Sequence, residues 1–302
     1  MRTGIMLGAD GPADTIDEVI ARAKAIEAAG FDDIWMANIF GLDAITTLGL
    51  IGRETKTIGL GTAVTPTYPR HPSAIAQQAM TTNAASNGRF TLGIGLSHQV
   101  VIEGMLGFSY DKPARHMKEY LSILAPLLRG EMVNYSGEQY RVNNLAFSIP
   151  GAGTTRLLVA ALGPVMLNLA GKLADGTVTW MTGPNTLSSH IIPKISEGAE
   201  SAGKPAPSVA AGFPIALTEK VDDTKAFISK SLQIYGQLPS YRAMLDKEGI
   251  DGPADLAIVG DENKLRTEIE RLRSIGVTHF CGAISAPDKE TYDRTFEFLA
   301  SL

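Results

Sequence analysis

What most restricts this chain is a unit that recurs along it: a helix-periodic stretch, a glycine stop, then a short apolar run. Residues 14 to 29 place Ile16, Val19, Ile20, Ala23 and Ile26 at helical spacing, with Glu18 and Arg22 as an i,i+4 pair on the outer face. Gly30 stops that helix, and Phe31-Asp32-Asp33-Ile34-Trp35-Met36-Ala37 follows as a buried strand. Arg271 to Cys281 repeats the same order, with Gly276 as its stop. Between the two copies lie a strand over Ile58 to Val64, a helix over 73–85 and a strand over Phe90 to Ile94. Further on come a strand over Arg156 to Leu162, a helix opened by Gly163-Pro164, and strands over Gly176 to Met181, Val209 to Leu217 and Thr278 to Ile284. With the opening run Thr3 to Gly8 this makes about eight strand–helix units, which predicts a closed (β/α)8 barrel; an open doubly wound sheet is the alternative, because strand order is invisible in a sequence.

Two stretches interrupt the alternation. Residues 96–155 hold a helix from about Pro113 to Arg129, in which Pro126 is expected to kink or shorten the run, and a hairpin from Val133 to Phe147 around Ser136-Gly137. Residues 236–256, rich in Gly, Pro, Ser, Asp and Lys, read as a mobile insertion or lid. The 302 residues, 44% hydrophobic and 20% charged, otherwise suit one barrel domain over 1–302. A net charge of -5 argues against nucleic acid or a polybasic membrane patch as partner, and no apolar run reaches membrane-spanning length. Cys281 stands alone, so no intramolecular disulfide or thiolate cluster forms, and a cytoplasmic setting is expected.

In a barrel of this kind, chemistry sits at the carboxyl ends of the strands. That rule selects Asn38, the Thr62-Ala63-Val64-Thr65 segment, Ser97-His98, Ala161 to Pro164, Trp180-Met181 and Ile284-Ser285. The run Asn87 to His98 leaves a turn, crosses an apolar strand and ends in a polar tip. Its Gly93 and Gly95 read either as bulges or as places where backbone approaches a ligand. Two ends suit an anion: Gly95 to His98, and Leu162-Gly163-Pro164, where a starting helix presents free N–H groups; the bland reading of the latter is a helix start and nothing more. Trp180, the last large residue before a loop, is core or a stacking platform, whereas Trp35 reads as core.

Several chemistries are argued against. Histidines 71, 98, 116, 190 and 279 show no metal-ligand spacing. There is no G-x-S-x-G elbow, and Cys281 lies in an apolar strand. Gly93 to His98 lacks the third glycine of a dinucleotide fingerprint. An apolar barrel mouth with a phosphate site points to a flavin-like cofactor.

Six runs sharpen this: Ala28 to Trp35, Thr67 to Pro72, Gln77-Gln78-Ala79, Gly88 to Gly95, Ala170 to Gly176 and Ala257 to Gly260. In order and spacing they resemble the bacterial luciferase-like oxidoreductases, and within them the branch that uses the deazaflavin coenzyme F420. The resemblance implies a (β/α)8 barrel with insertions, a homodimer, and a cofactor ring held in the barrel mouth. It implies a non-prolyl cis peptide within Thr62-Ala63-Val64. It also implies a phosphate site made by Gly95, Ser97 and His98 with Ala161, Leu162, Gly163 and Pro164. FMN is the alternative cofactor. The cofactor set is thus Thr62, Ala63, Val64, Gly95, Ser97, His98, Ala161, Leu162, Gly163, Pro164 and Trp180, with no metal.

The family often places an Asp or His acid/base at the end of strand two, where this chain has Asn38, which orients a carbonyl but is no ready proton donor. A proton from Glu103, Tyr110, His116 or water is compatible with that departure, and Glu103 also reads as solvated surface. The catalytic candidates are Asn38 and Glu103. The expected function is hydride transfer between F420 and a small ketone, imine or activated alkene. The alternatives are an FMN-dependent two-component monooxygenase and a non-catalytic flavin- or deazaflavin-binding protein.

Overall fold

The computed structural model describes residues 1–7 and 15–302. Gly8, expected in the first strand, and residue 14, expected in the first helix, lie outside the described residues. Eight parallel strands form the barrel: Arg2–Leu7 (β1), Asp33–Met36 (β2), Gly59–Thr62 (β3), Phe90–Gly95 (β4), Arg156–Val159 (β5), Gly176–Trp180 (β6), Ser208–Leu217 (β7) and His279–Ile284 (β8). Each pairs with its neighbours in that order, and β8 pairs with both β1 and β7. The pairing of β6 with β7, Ser208 opposite Gly176 through Gly212 opposite Trp180, joins the two halves and closes the barrel. The open sheet is therefore excluded.

The helices that matter for the site are Ile16–Ala28 (α1), Ala44–Glu54 (α2), Pro72–Ala85 (α3), Pro113–Leu128 (α4), Pro164–Leu173 (α5), Ile192–Ser201 (α6), Val221–Ser231 (α7), Pro239–Glu248 (α8), Glu262–Ser274 (α9) and Lys289–Ala300 (α10). Local chemistry sets their ends. Thr15 and Glu18 form a capping box at α1, and Gly30 leaves it at φ 89°, a conformation that costs a side-chain-bearing residue. Asp43 caps α2 by accepting from Thr46 N, and Pro164 occupies the first turn of α5. Pro126 lies in the last turn of α4, which ends at Leu128, so the proline shortens nothing of the expected run.

The two excursions are built differently. In the first, Val133–Ser136 pairs antiparallel with Arg141–Leu145, as the hairpin reading anticipated. Its turn is held by Glu119 of α4, whose carboxylate accepts from the N–H groups of Glu138, Gln139 and Tyr140. In the second, α8 and a 3-10 turn at Pro253–Leu256 supply Leu245 and Leu256 to an apolar cluster with Met181, Ala216, Ile228 and Val259. That stretch is helical and packed.

Inside the barrel, two tryptophans sit opposite glycines. Met6, Trp35, Leu158, Val178, Ala210, Cys281 and Ala283 form the interior cluster, with Ala63, Val64 and Trp180 packed against it. A Cβ at Gly61 would land on the Trp35 ring, and one at Gly212 would meet Trp180 and Met6. Gly93 and Gly95 follow the same rule. A Cβ at Gly93 would collide with the Thr62 carbonyl, and one at Gly95 would lie 2.7 Å from Val64 Cγ2. The space these two glycines leave on the Cβ side is filled by the β3 end of the protein itself.

The motif-like arginines and acids are structural too. Arg89 donates to the carbonyls of Gly52, Thr55 and Ile58, closing the carboxyl end of α2. Arg2 binds Asp33 at 2.8 Å across β1 and β2 at the opposite end of the barrel from the mouth.

Candidate active site

The carboxyl end of β3 leads into a cis peptide at Ala63–Val64, at the place the family resemblance implied. Thr62 is fully buried. Its hydroxyl donates to Gly93 O at 2.7 Å and accepts from Gly93 N at 2.8 Å, so it locks β3 to β4. Ala63 and Val64 are half-buried and face the barrel axis with Trp180. They form an apolar wall at the mouth.

The ends of β4 and β5 lie side by side. Ala160 N donates to Ile94 O at 2.8 Å, and a Cβ on Gly95 would lie 3.3 Å from that of Ala160. Beyond β4, Ser97 adopts φ 59°, a left-handed conformation uncommon for a residue with a side chain, and its carbonyl accepts from the Tyr110 hydroxyl at 3.2 Å. Beyond β5, Ala161 is buried, Leu162 is half-buried, and Gly163 and Pro164 are exposed. Gly163 is the N-cap of α5 and supplies no side chain to bond the first turn, and nothing lies within 4 Å of where its Cβ would be. The Leu162 carbonyl accepts from His190 Nε2 at 2.8 Å, which assigns the proton to that nitrogen and pins the loop. The free helix-start N–H groups of α5 and the left-handed Ser97 thus stand on adjacent strand ends.

His98 completes these ends differently from a cation. Burial lowers its pKa below the usual histidine value, so at neutral pH it offers a neutral imidazole. Its ring packs against Tyr241 of α8 at 5.6 Å, Tyr241 against Tyr235 at 5.1 Å, and Tyr235 against Trp180 at 6.2 Å. These four rings run from the end of β4 to the end of β6 over the mouth. The Trp180 indole N–H is buried and finds no acceptor among the described residues.

The acid/base candidates separate. Asn38 is half-buried, and its Oδ1 accepts from Ala44 N at 3.1 Å, which leaves the Nδ2 group without an acceptor among the described residues. Glu103 is exposed, with its carboxylate accepting from Gln99 Nε2 and Tyr110 N, a fastening of its own surface loop. His116 is buried; burial outweighs Gln139 and Glu119, which act in the opposite direction, and lowers its pKa to about 4. Its ring nitrogens meet the Thr67 hydroxyl at 2.9 Å and the Tyr140 hydroxyl at 3.4 Å. Among the described residues no cluster of histidine, cysteine or carboxylates is arranged for a metal ion, and no helix is long and apolar enough to cross a membrane. Cys281 is fully buried and its thiol is pushed well up by that burial, so it is inert.

Sequence reasoning missed Tyr68, Tyr235 and Tyr241. Aromatic rings at the mouth were the available signal, but nothing in spacing brings positions 98, 180, 235 and 241 together.

An apolar wall, a buried indole donor and a split polar patch on adjacent strand ends fit a flat cofactor with a phosphate-bearing tail. The chain is 29% identical over 251 residues to a 5,10-methylenetetrahydromethanopterin reductase of Methanolobus tindarius, covering 82% of this chain and 76% of that protein. It is 29% identical over 208 residues to an F420-dependent glucose-6-phosphate dehydrogenase of Nakamurella multipartita, covering 64% of this chain and 60% of that protein. The structure of a coenzyme F420-dependent tetrahydromethanopterin reductase from Methanopyrus kandleri superposes with a TM-score of 0.81 at 25% identity, covering 99% and 97% of the two chains. A family model described as luciferase-like monooxygenase matches residues 1–279, and with the closed parallel barrel and the cis peptide at its mouth, the chain belongs to that family.

Proposed function

We propose that this protein is a coenzyme F420-dependent oxidoreductase that transfers a hydride between the deazaflavin and a small organic substrate such as a ketone, imine or activated alkene. The observation that carries the reading is the split polar patch, with Ser97 at the end of β4 and the uncapped start of α5 at Gly163 beside each other on adjacent strands. The F420-dependent relative and the F420-dependent reductase of like structure support the choice of cofactor over FMN.

When bound, the deazaflavin supplies a two-electron hydride couple without the oxygen chemistry of reduced flavin. The chain's own residues do the rest. Val64 and Trp180 exclude water from one side of the ring site, and the free Nδ2 of Asn38 donates to a carbonyl or imine acceptor and orients it. His116 is buried and neutral, Tyr110 holds Ser97, and Glu103 fastens the surface loop, so solvent water is the proton source in this reading. Fluorescence titration of the purified protein with F420 and with FMN tests it: tight F420 binding and weak FMN binding are expected, and the reverse order sinks the reading.

A further inference from the structure

The amide of Asn38 uses one of its ends and leaves the other free. Oδ1 accepts from Ala44 N at 3.1 Å at the start of α2, and that bond fixes which way the amide points. Nδ2 has no acceptor among the described residues and, unlike the indole N–H groups of Trp35 and Trp180, is not sealed from solvent. The strand end that carries it adjoins the apolar wall. Ala37 N donates to Leu7 O at 3.1 Å and Ala63 N donates to Met36 O at 2.8 Å, so Asn38 follows closely on the carbonyl that holds the Ala63–Val64 corner. A fixed neutral donor therefore stands at the edge of the wall read above as backing the cofactor ring.

No ready proton donor stands with it among the described residues. Asp43 caps α2 and pairs with Arg70 at 2.6 Å; burial would raise its pKa, but Thr46 and Arg70 prevail and keep it ionised. His98 is neutral, and His116 is neutral with its ring nitrogens facing Thr67 and Tyr140. The Tyr110 hydroxyl is spent on Ser97 O. Tyr68 is stacked between Tyr110, at 5.2 Å, and His116, at 4.0 Å, with its hydroxyl sealed from solvent. Burial, then Tyr235, raises the pKa of Tyr241, which makes that phenol a poorer acid.

This inventory separates the acceptor classes. Hydride added to a plain ketone leaves an alkoxide, a strong base that needs a proton at once. An imine takes hydride well only once protonated, and the resulting iminium has no lone pair for an N–H donor. A conjugated enone needs neither, because hydride at its β-carbon leaves an enolate, and a preorganised neutral N–H stabilises the charge on its oxygen. We propose that this chain reduces the carbon–carbon double bond of α,β-unsaturated carbonyl compounds, with Asn38 Nδ2 as the catalytic donor to the enolate oxygen. The proposal rests on the reading of the chain as an F420-dependent oxidoreductase. A C–H bond forms at the β-carbon with the electron pair of the hydride given up by the reduced deazaflavin, while the C=C π pair moves into the enolate. Water then protonates the α-carbon, and the ring N–H proton released as the deazaflavin becomes oxidised replaces the one taken from water.

The test gives wild type and Asn38→Asp reduced F420 with cyclohexenone, cyclohexanone or pyrroline. Binding of para-nitrophenolate, a planar oxyanion like the enolate, is read separately by absorbance without turnover. Asn38→Asp keeps an oxygen for Ala44 N and replaces only the amide donor, so its thermal midpoint and F420 dissociation constant are expected to stay close to those of wild type. Wild type is expected to convert cyclohexenone to cyclohexanone, with deuterium from labelled reduced F420 at the β-carbon and solvent deuterium at the α-carbon. It is expected to reduce cyclohexanone and pyrroline about tenfold or more slowly. The variant is expected to lose about a hundredfold in kcat on the enone, and most of its affinity for nitrophenolate. Reduction of the ketone or the imine as fast as the enone, no reduction of the enone, or equal nitrophenolate binding by the two proteins overturns the proposal. The two readings fail separately. If wild type binds no F420 in the fluorescence titration, the proposed function falls; if it binds F420 and reduces only the ketone or the imine, the enone proposal alone falls.

Discussion

At the scale of single residues, glycines that look alike in the sequence have opposite duties. Gly95 makes room for Val64, whereas Gly163 faces open space and has an extended backbone, φ −80° and ψ 154°, that any residue adopts. Gly163→Leu is therefore expected to leave the thermal midpoint within a degree or two of wild type while weakening F420 binding about tenfold or more, read by titration. Buried histidine sets the pH dependence. His116 has a folded pKa of about 4 against roughly 6.5 in an unfolded chain. Between these values the unfolded chain binds more protons than the native one, so stability rises with pH through the window and is lost as pH falls from about 6.5 toward 4. At about 1.4 kcal/mol per unit, His116 alone accounts for a loss of at most about 3.5 kcal/mol. His98 and His279 are lowered in the same direction, so the difference between wild type and His116→Gln isolates its share. Urea midpoints from pH 7 to pH 4 are expected to fall less steeply in the variant. The residue types of the site were legible in the sequence, since Ser97, His98 and the Gly163-Pro164 start stand at strand ends. The duties of Thr62, Gly93 and Gly95 were not, because the atoms they meet belong to a neighbouring strand.

At the scale of elements, period and caps placed helices and strands to within a few residues. The hairpin after α4 shows what period leaves out. Its turn depends on Glu119, 19 to 21 positions earlier, whose buried carboxylate answers three backbone N–H groups. Against the desolvation that raises it, the Gln139, Glu138 and Tyr140 N–H groups and the Arg115 charge hold its pKa below the usual carboxylate value. Glu119→Ala leaves those donors without their acceptor and is expected to cost about 2–4 kcal/mol in urea unfolding. Amide exchange at 138–140 is expected to speed up, while exchange in β1 and β8 keeps its order. The second excursion makes the same point about composition. Its Gly, Pro and polar residues read as a mobile insertion or lid, and what they do not show is that Leu245 and Leu256 pack with Met181 and Val259 and that Tyr241 reaches His98.

At the scale of the whole molecule, the barrel is filled by an exchange of size between strands. Trp35 takes the space that Gly61 vacates, and Trp180 the space of Gly212. Gly61→Val is expected to destabilise by about 1–3 kcal/mol or more through overpacking. Gly61→Val with Trp35→Leu is expected to recover part of that loss in a double-mutant cycle, because the two positions share one volume. The sequence by itself determined the alternation of strand and helix, the parallel sense of the sheet and the rim as the place for chemistry, since each follows from local periodicity, caps and the reach of short connections. Only the tertiary structure decided that the sheet closes through β6 and β7, that the β3 end fills the hollows of Gly93 and Gly95, and that Tyr68, Tyr110 and His116 stack into a column ending at Ser97. Those are contacts between residues far apart in the chain, and what sets them is shape and the satisfaction of buried polar groups, neither of which has a period along the sequence.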